Sequence, residues 1–255
     1  MTQRPTVAVH KFSSCDGCQL ALLNMGEGLI TLAERVEILH FAEAGLLDED
    51  ASVDIALVEG SVVTAKDKLR IQEVRKNSRY LITMGACATS GGIQALKNLA
   101  DDAGQWPGQI YAQPEFIDSL DRSDAIREHV KVDFELWGCP INGQQISAAI
   151  SLLLEGVMPL DDREKLCIEC KRAGHICTLV TQGEACLGPV TRTGCGALCP
   201  EFGRGCYGCY GASELPRKDA LARRFSGLGL LPETVARRFN LIHPVSRTPV
   251  KESKP

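Results

Sequence analysis

Twelve cysteines fall into three blocks of four: Cys15, Cys18, Cys87 and Cys139; Cys167, Cys170, Cys177 and Cys186; Cys195, Cys199, Cys206 and Cys209. Thiolates are the ligands of iron–sulfur clusters, four to a cubane, so three local quartets point to a relay of redox centres rather than to one active site. No catalytic side chain is expected in this chain. The last eight cysteines lie within the 43 residues from Cys167 to Cys209. A segment so short and glycine-rich is not expected to build a good hydrophobic core, so bound metal would supply its folding free energy. Zinc is the competing reading there, because Cys167-x-x-Cys170 and Cys206-x-x-Cys209 could form a ribbon-like site. Cys139-Pro140 and Cys199-Pro200 repeat the Cys-Pro pairing of ferredoxin-like runs and favour iron and sulfide. His175 is read as a surface-loop residue, since four thiols are already at hand.

The elements that must position the first quartet alternate between strand and helix. Thr6 to Phe12, Val36 to Phe41, Ile55 to Glu59, Tyr80 to Met84 and Phe134 to Trp137 read as strands. Between them, a helical pattern surrounds Leu20, Leu23 and Leu29, Lys66 to Lys76 reads as a polar helix, and Gly92 to Leu99 as another. A final helix follows from the spacing of Ile146, Ala149, Ile150, Leu153 and Leu154. This alternation predicts a flavodoxin-like α/β domain with a parallel sheet over residues 1–160. Cys15 and Cys18, Cys87 and Cys139 then each follow a strand at the carboxyl edge, where residues 124 positions apart in the chain can face one centre. Glu59 emerges at the same edge, either to cap the turn or to serve as a proton-relay or interface residue. Gly17, Gly85, Gly91, Gly92 and Gly138 would let backbone N–H groups approach sulfur. Residues 161–255 read as an irregular cysteine-rich iron–sulfur domain that closes with two amphipathic helices, Leu215 to Gly227 and Pro232 to Phe239. The ending from His243 has the proline and charge content of a tail.

Composition sets the outer bounds. The net charge of −4 gives no reason to expect nucleic acid as a partner. Residues 211–255 hold nine Lys and Arg against four Asp and Glu, which is read as a solvated basic end. No apolar run approaches the roughly 20 residues that span a bilayer. The start, MTQRPTVAVHKF, carries no export signal, and this many free thiols suit a reducing compartment, so the expected location is the cytoplasm.

The segments SSCDGCQLALLN, VEGSV, GACATSGG, WGCPINGQ and CLGPVTRTGCGALCPEFGRGCYGCYG together resemble the small subunit of nickel–iron hydrogenases. The wording of the first is most similar to the delta subunit of cytoplasmic, NADP-linked bidirectional hydrogenases, the sulfhydrogenases. By this resemblance Cys15, Cys18, Cys87 and Cys139 hold the proximal cluster, Cys195, Cys199, Cys206 and Cys209 the medial one, and Cys167, Cys170, Cys177 and Cys186 the distal one. Many periplasmic relatives place histidine where Cys167 stands and lack the fourth medial thiol that Cys199 restores, so all three clusters are expected to be 4Fe-4S. Both differences should favour a low-potential acceptor. The resemblance implies a heterotetramer with a large subunit carrying the nickel–iron centre, a flavin- and NADP-binding subunit holding FAD, and a further iron–sulfur subunit, with electrons from dihydrogen relayed reversibly. Small subunits of deazaflavin- or heterodisulfide-linked hydrogenases share much of this cysteine plan and form the alternative. An electron-relay subunit of a quinone reductase fits less well, since that relative has adjacent cysteines at Cys15-x-x-Cys18 and lacks the eight-cysteine segment. No G-x-G-x-x-G follows a strand, so nucleotide binding is expected on a partner.

Overall fold

Apolar runs without polar alternation mark strands covered on both faces, and such runs form the centre of a sheet in the computed structural model, which describes residues 4–100 and 106–244. The chain divides into two compact units, Met1–Asp161 and Asp162–Pro255. The first contains β1 (Thr6–Lys11), β2 (Glu37–Phe41), β3 (Leu46–Leu47), β4 (Val53–Glu59), β5 (Ser78–Met84) and β6 (Phe134–Leu136). Their order is β3-β2-β1-β4-β5-β6, parallel throughout except for the pairing of β2 with β3. Without the short edge strand β3, this is the 2-1-3-4-5 order of flavodoxin-like sheets, as the alternation predicts.

Helices α1 (Gly17–Leu23), α2 (Glu27–Arg35), α3 (Ala65–Lys76), α4 (Gly85–Ser90), α5 (Trp106–Ile110) and α6 (Gly143–Leu154) belong to the same unit. Val7, Val9, Ile55, Leu57, Ile82 and Met84 on one face of the sheet pack with Leu22 of α1, Leu32 of α2 and Ile146, Ile150 and Leu153 of α6. On the other face Ala8, Ala56, Val58 and Leu81 meet Ile71 and Val74 of α3 and Ala88 of α4. Polar α3 is fixed at its start by a capping box: Thr64 Oγ1 accepts the Asp67 N–H and Asp67 Oδ2 accepts the Thr64 N–H, each at 3.0 Å. Such a cap is worth about 1 kcal/mol.

Two local expectations in the first unit are corrected. The pattern around Leu20, Leu23 and Leu29 is split into α1 and α2, because the chain turns at Gly26 with φ 57°. The helix expected over Gly92 to Leu99 is a 3-10 stretch over Ile93–Leu99. The α-helical turn lies earlier, as α4, and ends at Gly91 in the left-handed conformation that favours glycine. Edge strand β3 has no sequence signal at only two residues long.

The second unit contains α7 (Leu166–Arg172), α8 (Thr178–Thr181), α9 (Leu198–Glu201), α10 (Lys218–Gly227) and α11 (Pro232–Asn240). Leu166, Leu187 and Val190 pack with Leu221 and Phe225 of α10 and Val235 and Phe239 of α11. The rings of Phe225 and Phe239 lie 5.8 Å apart, tilted by 31°. The cysteine-rich stretch therefore has an apolar core, supplied in good part by the two helices that follow it. Helix α10 starts at Lys218, later than expected, after Pro216. The stretch expected as a tail lies, from residue 245 onward, outside the described residues. Among the described residues no helix is long and apolar enough to cross a membrane.

Two histidines are stacked inside the first unit: His10 of β1 and His40 of β2 lie with ring centroids 4.9 Å apart, both buried. Neither Nδ1 has a hydrogen-bond partner. Burial, then the neighbouring His40 and Arg70, push His10 down to about 3. Burial also lowers His40, helped by Arg70 and opposed by Glu49 and Asp48. His10 is thus held neutral in the folded chain and gains a proton on unfolding, so stability should fall by up to about 1.4 kcal/mol per pH unit below about pH 6.5, with the lowered His40 adding to the loss. Denaturant titrations from about pH 7.5 to about pH 5 should show this loss, and His10→Phe should flatten it; an unchanged slope in that variant would contradict the assignment.

Candidate metal centres

Cys15 and Cys18 follow β1, Glu59 ends β4, Cys87 lies in α4 directly after β5, and Cys139 follows β6. All five positions share the carboxyl edge of the sheet, and β1 and β4 are the neighbours between which the strand order reverses. Backbone bonds tie the loops together: Phe12 N–H reaches Glu59 O at 2.7 Å, and Ala86 N–H reaches Gly138 O at 2.7 Å. Gly85 has a φ of 81° and faces Cys18 so closely that a side chain there would overlap Sγ. Gly92 lies in the same way against Cys87 Sγ.

The four thiols lie within electrostatic reach of one another. Burial first, then the charges of Glu59, Cys87 and Cys139, push Cys18 up. Cys87 is pushed up to about 11 by burial, with Cys139 and Cys15 adding to it. Cys139 is raised by burial and by Cys15. Free thiolates are disfavoured in such a place, and the charge on sulfur is best held by bound cationic metal. All twelve cysteines are free thiols, and no disulfide framework forms. Gln94, which sequence reasoning did not single out, accepts from Cys87 Sγ at 3.3 Å and donates to Ser13 O at 2.8 Å. Its only signal is its place shortly after the Gly91-Gly92 pair.

Glu59 caps a helix. Asp16, at the start of α1, makes no side-chain cap bond. The Cys18 and Gln19 N–H groups donate instead to the two carboxylate oxygens of Glu59, at 3.0 and 3.3 Å. A carboxylate at this end also suits the helix dipole. Burial nonetheless raises the Glu59 pKa, against the pull of these N–H bonds. Of the roles expected for Glu59, the geometry supplies the cap.

In the second unit, Cys167 and Cys170 project from α7, and Cys167 is pushed up to about 11 by burial, then by Cys186, Cys170 and Cys177. That places the second quartet in one neighbourhood. A Cβ added at Gly188 would stand 3.4 Å from the Sγ atoms of both Cys167 and Cys186. For the third quartet, Cys195 adjoins Cys199 and Cys206 adjoins Cys209. Cys206 is raised chiefly by burial, and its Sγ accepts the Gly208 N–H at 3.3 Å. Cys186 Sγ accepts the Cys206 N–H at 3.2 Å, so the second and third quartets touch. His175 stays in its loop, its N–H bonded to Cys170 O at 3.1 Å. Among the described residues, no group of three or more His, Cys, Asp or Glu could hold a single metal ion. All-thiol donor sets, partly buried, lined by glycine and receiving N–H···S bonds fit iron–sulfur clusters.

Comparison with known proteins places these features in a family. Residues 15–153, more than half of the chain, match the family described as NADH ubiquinone oxidoreductase, 20 Kd subunit. The chain is 33% identical to sulfhydrogenase 2 subunit delta of Pyrococcus furiosus over 81% of its own length and 86% of that protein. It is 29% identical to a vhu subunit of the F420-non-reducing hydrogenase of Methanocaldococcus jannaschii, over 91% of this chain and 96% of that one. Among solved structures, a chain of an NAD+-reducing [NiFe]-hydrogenase in the H2-reduced state matches with a TM-score of 0.57 at 27% identity, over 62% of this chain and 96% of that chain. The sheet order, the thiols at its carboxyl edge and these matches agree: the chain belongs to the NADH ubiquinone oxidoreductase 20 Kd subunit family, among its nickel–iron hydrogenase small subunits.

Proposed function

We propose that this chain holds three 4Fe-4S clusters and relays electrons reversibly between the nickel–iron large subunit and a flavin- and NADP-binding module in a cytoplasmic heterotetramer that includes a further iron–sulfur subunit. The proximal ligands are Cys15, Cys18, Cys87 and Cys139 in the first unit, the distal ligands Cys167, Cys170, Cys177 and Cys186, and the medial ligands Cys195, Cys199, Cys206 and Cys209 in the second. When bound, such clusters supply one-electron conduction without atom transfer. The observation that carries this reading is the gathering of Cys15, Cys18, Cys87 and Cys139 from three loop regions at one sheet edge, each of Cys18, Cys87 and Cys139 held up by burial and by its neighbours' charge.

The residues of this chain have distinct tasks around the clusters. Glu59 sets the Cys15–Cys18 turn through the Cys18 and Gln19 N–H groups. Gln94 holds Cys87 against the Ser13 loop. Gly85 and Gly92 leave room beside sulfur that a side chain would fill. Cys15 and Cys177 are the exposed thiols, one in the proximal and one in the distal set, as suits centres that exchange electrons with partner subunits.

NADP as acceptor rests on the likeness to a sulfhydrogenase delta subunit, and an NAD+-reducing hydrogenase chain also matches. A deazaflavin- or heterodisulfide-linked enzyme is the second reading; the coverage of the F420-non-reducing relative, whose name excludes that deazaflavin as acceptor, favours the heterodisulfide-linked form of the two. The native complex reduced under dihydrogen should reduce NADP+ in preference to NAD+ or a deazaflavin; preference for another acceptor replaces the subclass and leaves the relay in place.

The purified chain in its complex should be brown, with about twelve iron and about twelve sulfide attributable to it. A colourless protein with zinc at these cysteines would remove the proposal. Gly85→Ala should remove about a third of that iron by crowding Cys18 while sparing the other two sites; full iron content would contradict the crowding of a ligand at Cys18. Cys87→Ser should lower acceptor-linked dihydrogen oxidation at least about tenfold, with hydrogen–deuterium exchange on the large subunit reduced much less. Normal acceptor-linked rates would contradict the proximal assignment.

A further inference from the structure

Between Cys167 and Cys170 on α7 stands a half-buried acidic residue, Glu169. Its carboxylate reaches out of the distal quartet: Oε1 accepts the Gly196 N–H at 3.0 Å and Oε2 accepts the Gly194 N–H at 3.2 Å. Gly194 and Gly196 are the two residues flanking Cys195 of the medial quartet. One carboxylate thus grips the medial ligand loop on both sides while its own helix carries two distal ligands. Charge-assisted bonds of this kind are about twice as strong as neutral ones. A second carboxylate repeats the pattern: Glu184, two residues before Cys186, accepts the Gly205 N–H at 2.8 Å, next to Cys206.

From this geometry, and resting on the three-cluster reading above, we infer that Glu169 is a positioning residue shared by the medial and distal centres: it holds the Cys195 loop and places one fixed negative charge beside both centres, lowering their potentials together. The charge is felt on both sides. Burial first, and the Glu169 carboxylate among the neighbouring charges, raise both Cys170 and Cys195. A negative charge beside a centre opposes the arrival of an electron, and a charge beside two centres opposes both. Their potentials would then move in step, and the step between them would be left unchanged by this charge.

The test uses the intact complex and begins with iron and sulfide analysis, so that loss of the three-cluster reading is told apart from failure of this inference. With about twelve iron present, Glu169→Gln keeps an acceptor oxygen and removes the charge. In redox titrations followed by electron paramagnetic resonance, two of the three centres should shift upward together, each by at least about threefold in its oxidised-to-reduced ratio at a fixed potential. The third should stay in place. Glu169→Ala should lose iron from the medial centre, as the Cys195 loop comes free, while the distal centre still shifts upward. Glu233→Gln, an exposed charge in the first turn of α11, should shift none of them. Two centres unmoved in Glu169→Gln at full iron content, one moved alone, or an equal shift in Glu233→Gln would overturn the inference.

Discussion

Parallel strands that all end on the same side of a sheet impose the constraint on which the first unit depends. Each strand delivers its following loop to one edge, so residues far apart in sequence become neighbours without any segment having to travel. Cys15, Cys18, Cys87 and Cys139 are brought together by this alone, and the helices on both faces keep the strands in register through Val7, Leu57, Ile82, Ile146 and Ile150 on one side and Ala56, Leu81 and Ile71 on the other. The thiols then experience burial and mutual charge that would be costly without a metal group. The folded sheet holds its thiols in an environment that is satisfied by binding.

The second unit solves the same problem without a sheet. Its ligand-bearing turns are short, and what fixes them is a set of individual bonds: carboxylates onto glycine N–H groups, N–H onto sulfur, and Leu187 N–H onto Cys206 O at 3.0 Å. Behind them, Phe225 and Phe239 supply the apolar mass that the cysteine-rich stretch lacks. Arg238 adds a further tie, its guanidinium donating to Ala185 O at 2.6 Å and lying over the Tyr207 ring. Helices α10 and α11 are therefore part of what holds the ligand turns in place. A unit built this way resembles small metal domains, where packing and coordination share the work of folding.

The sheet was legible because its strands are long apolar runs in the right alternation, and the thiols because their type and spacing are unusual. What escaped reading was set by contact. Helix α4 is too short for a periodic signal, and β3 exists only because Leu46 and Leu47 happen to meet His40 and Phe41. Gln94, Glu169 and Arg238 look like ordinary polar residues on paper; each acquires its role from a carbonyl, a sulfur or a glycine N–H many positions away. Glu59 was visible as a carboxylate at a strand end, yet its task as a cap could be decided only by the position of the Cys18 and Gln19 N–H groups.

The cap on α1 also bears on the order in which the polypeptide takes shape. Because the Asp16 side chain gives that helix no cap and Glu59 lies more than forty positions further along, the turn holding the first two thiols lacks its carboxylate cap while only the amino-terminal strand has left the ribosome. It gains one once β4 has been synthesised and laid beside β1. Until then the Cys18 and Gln19 N–H groups are left to water.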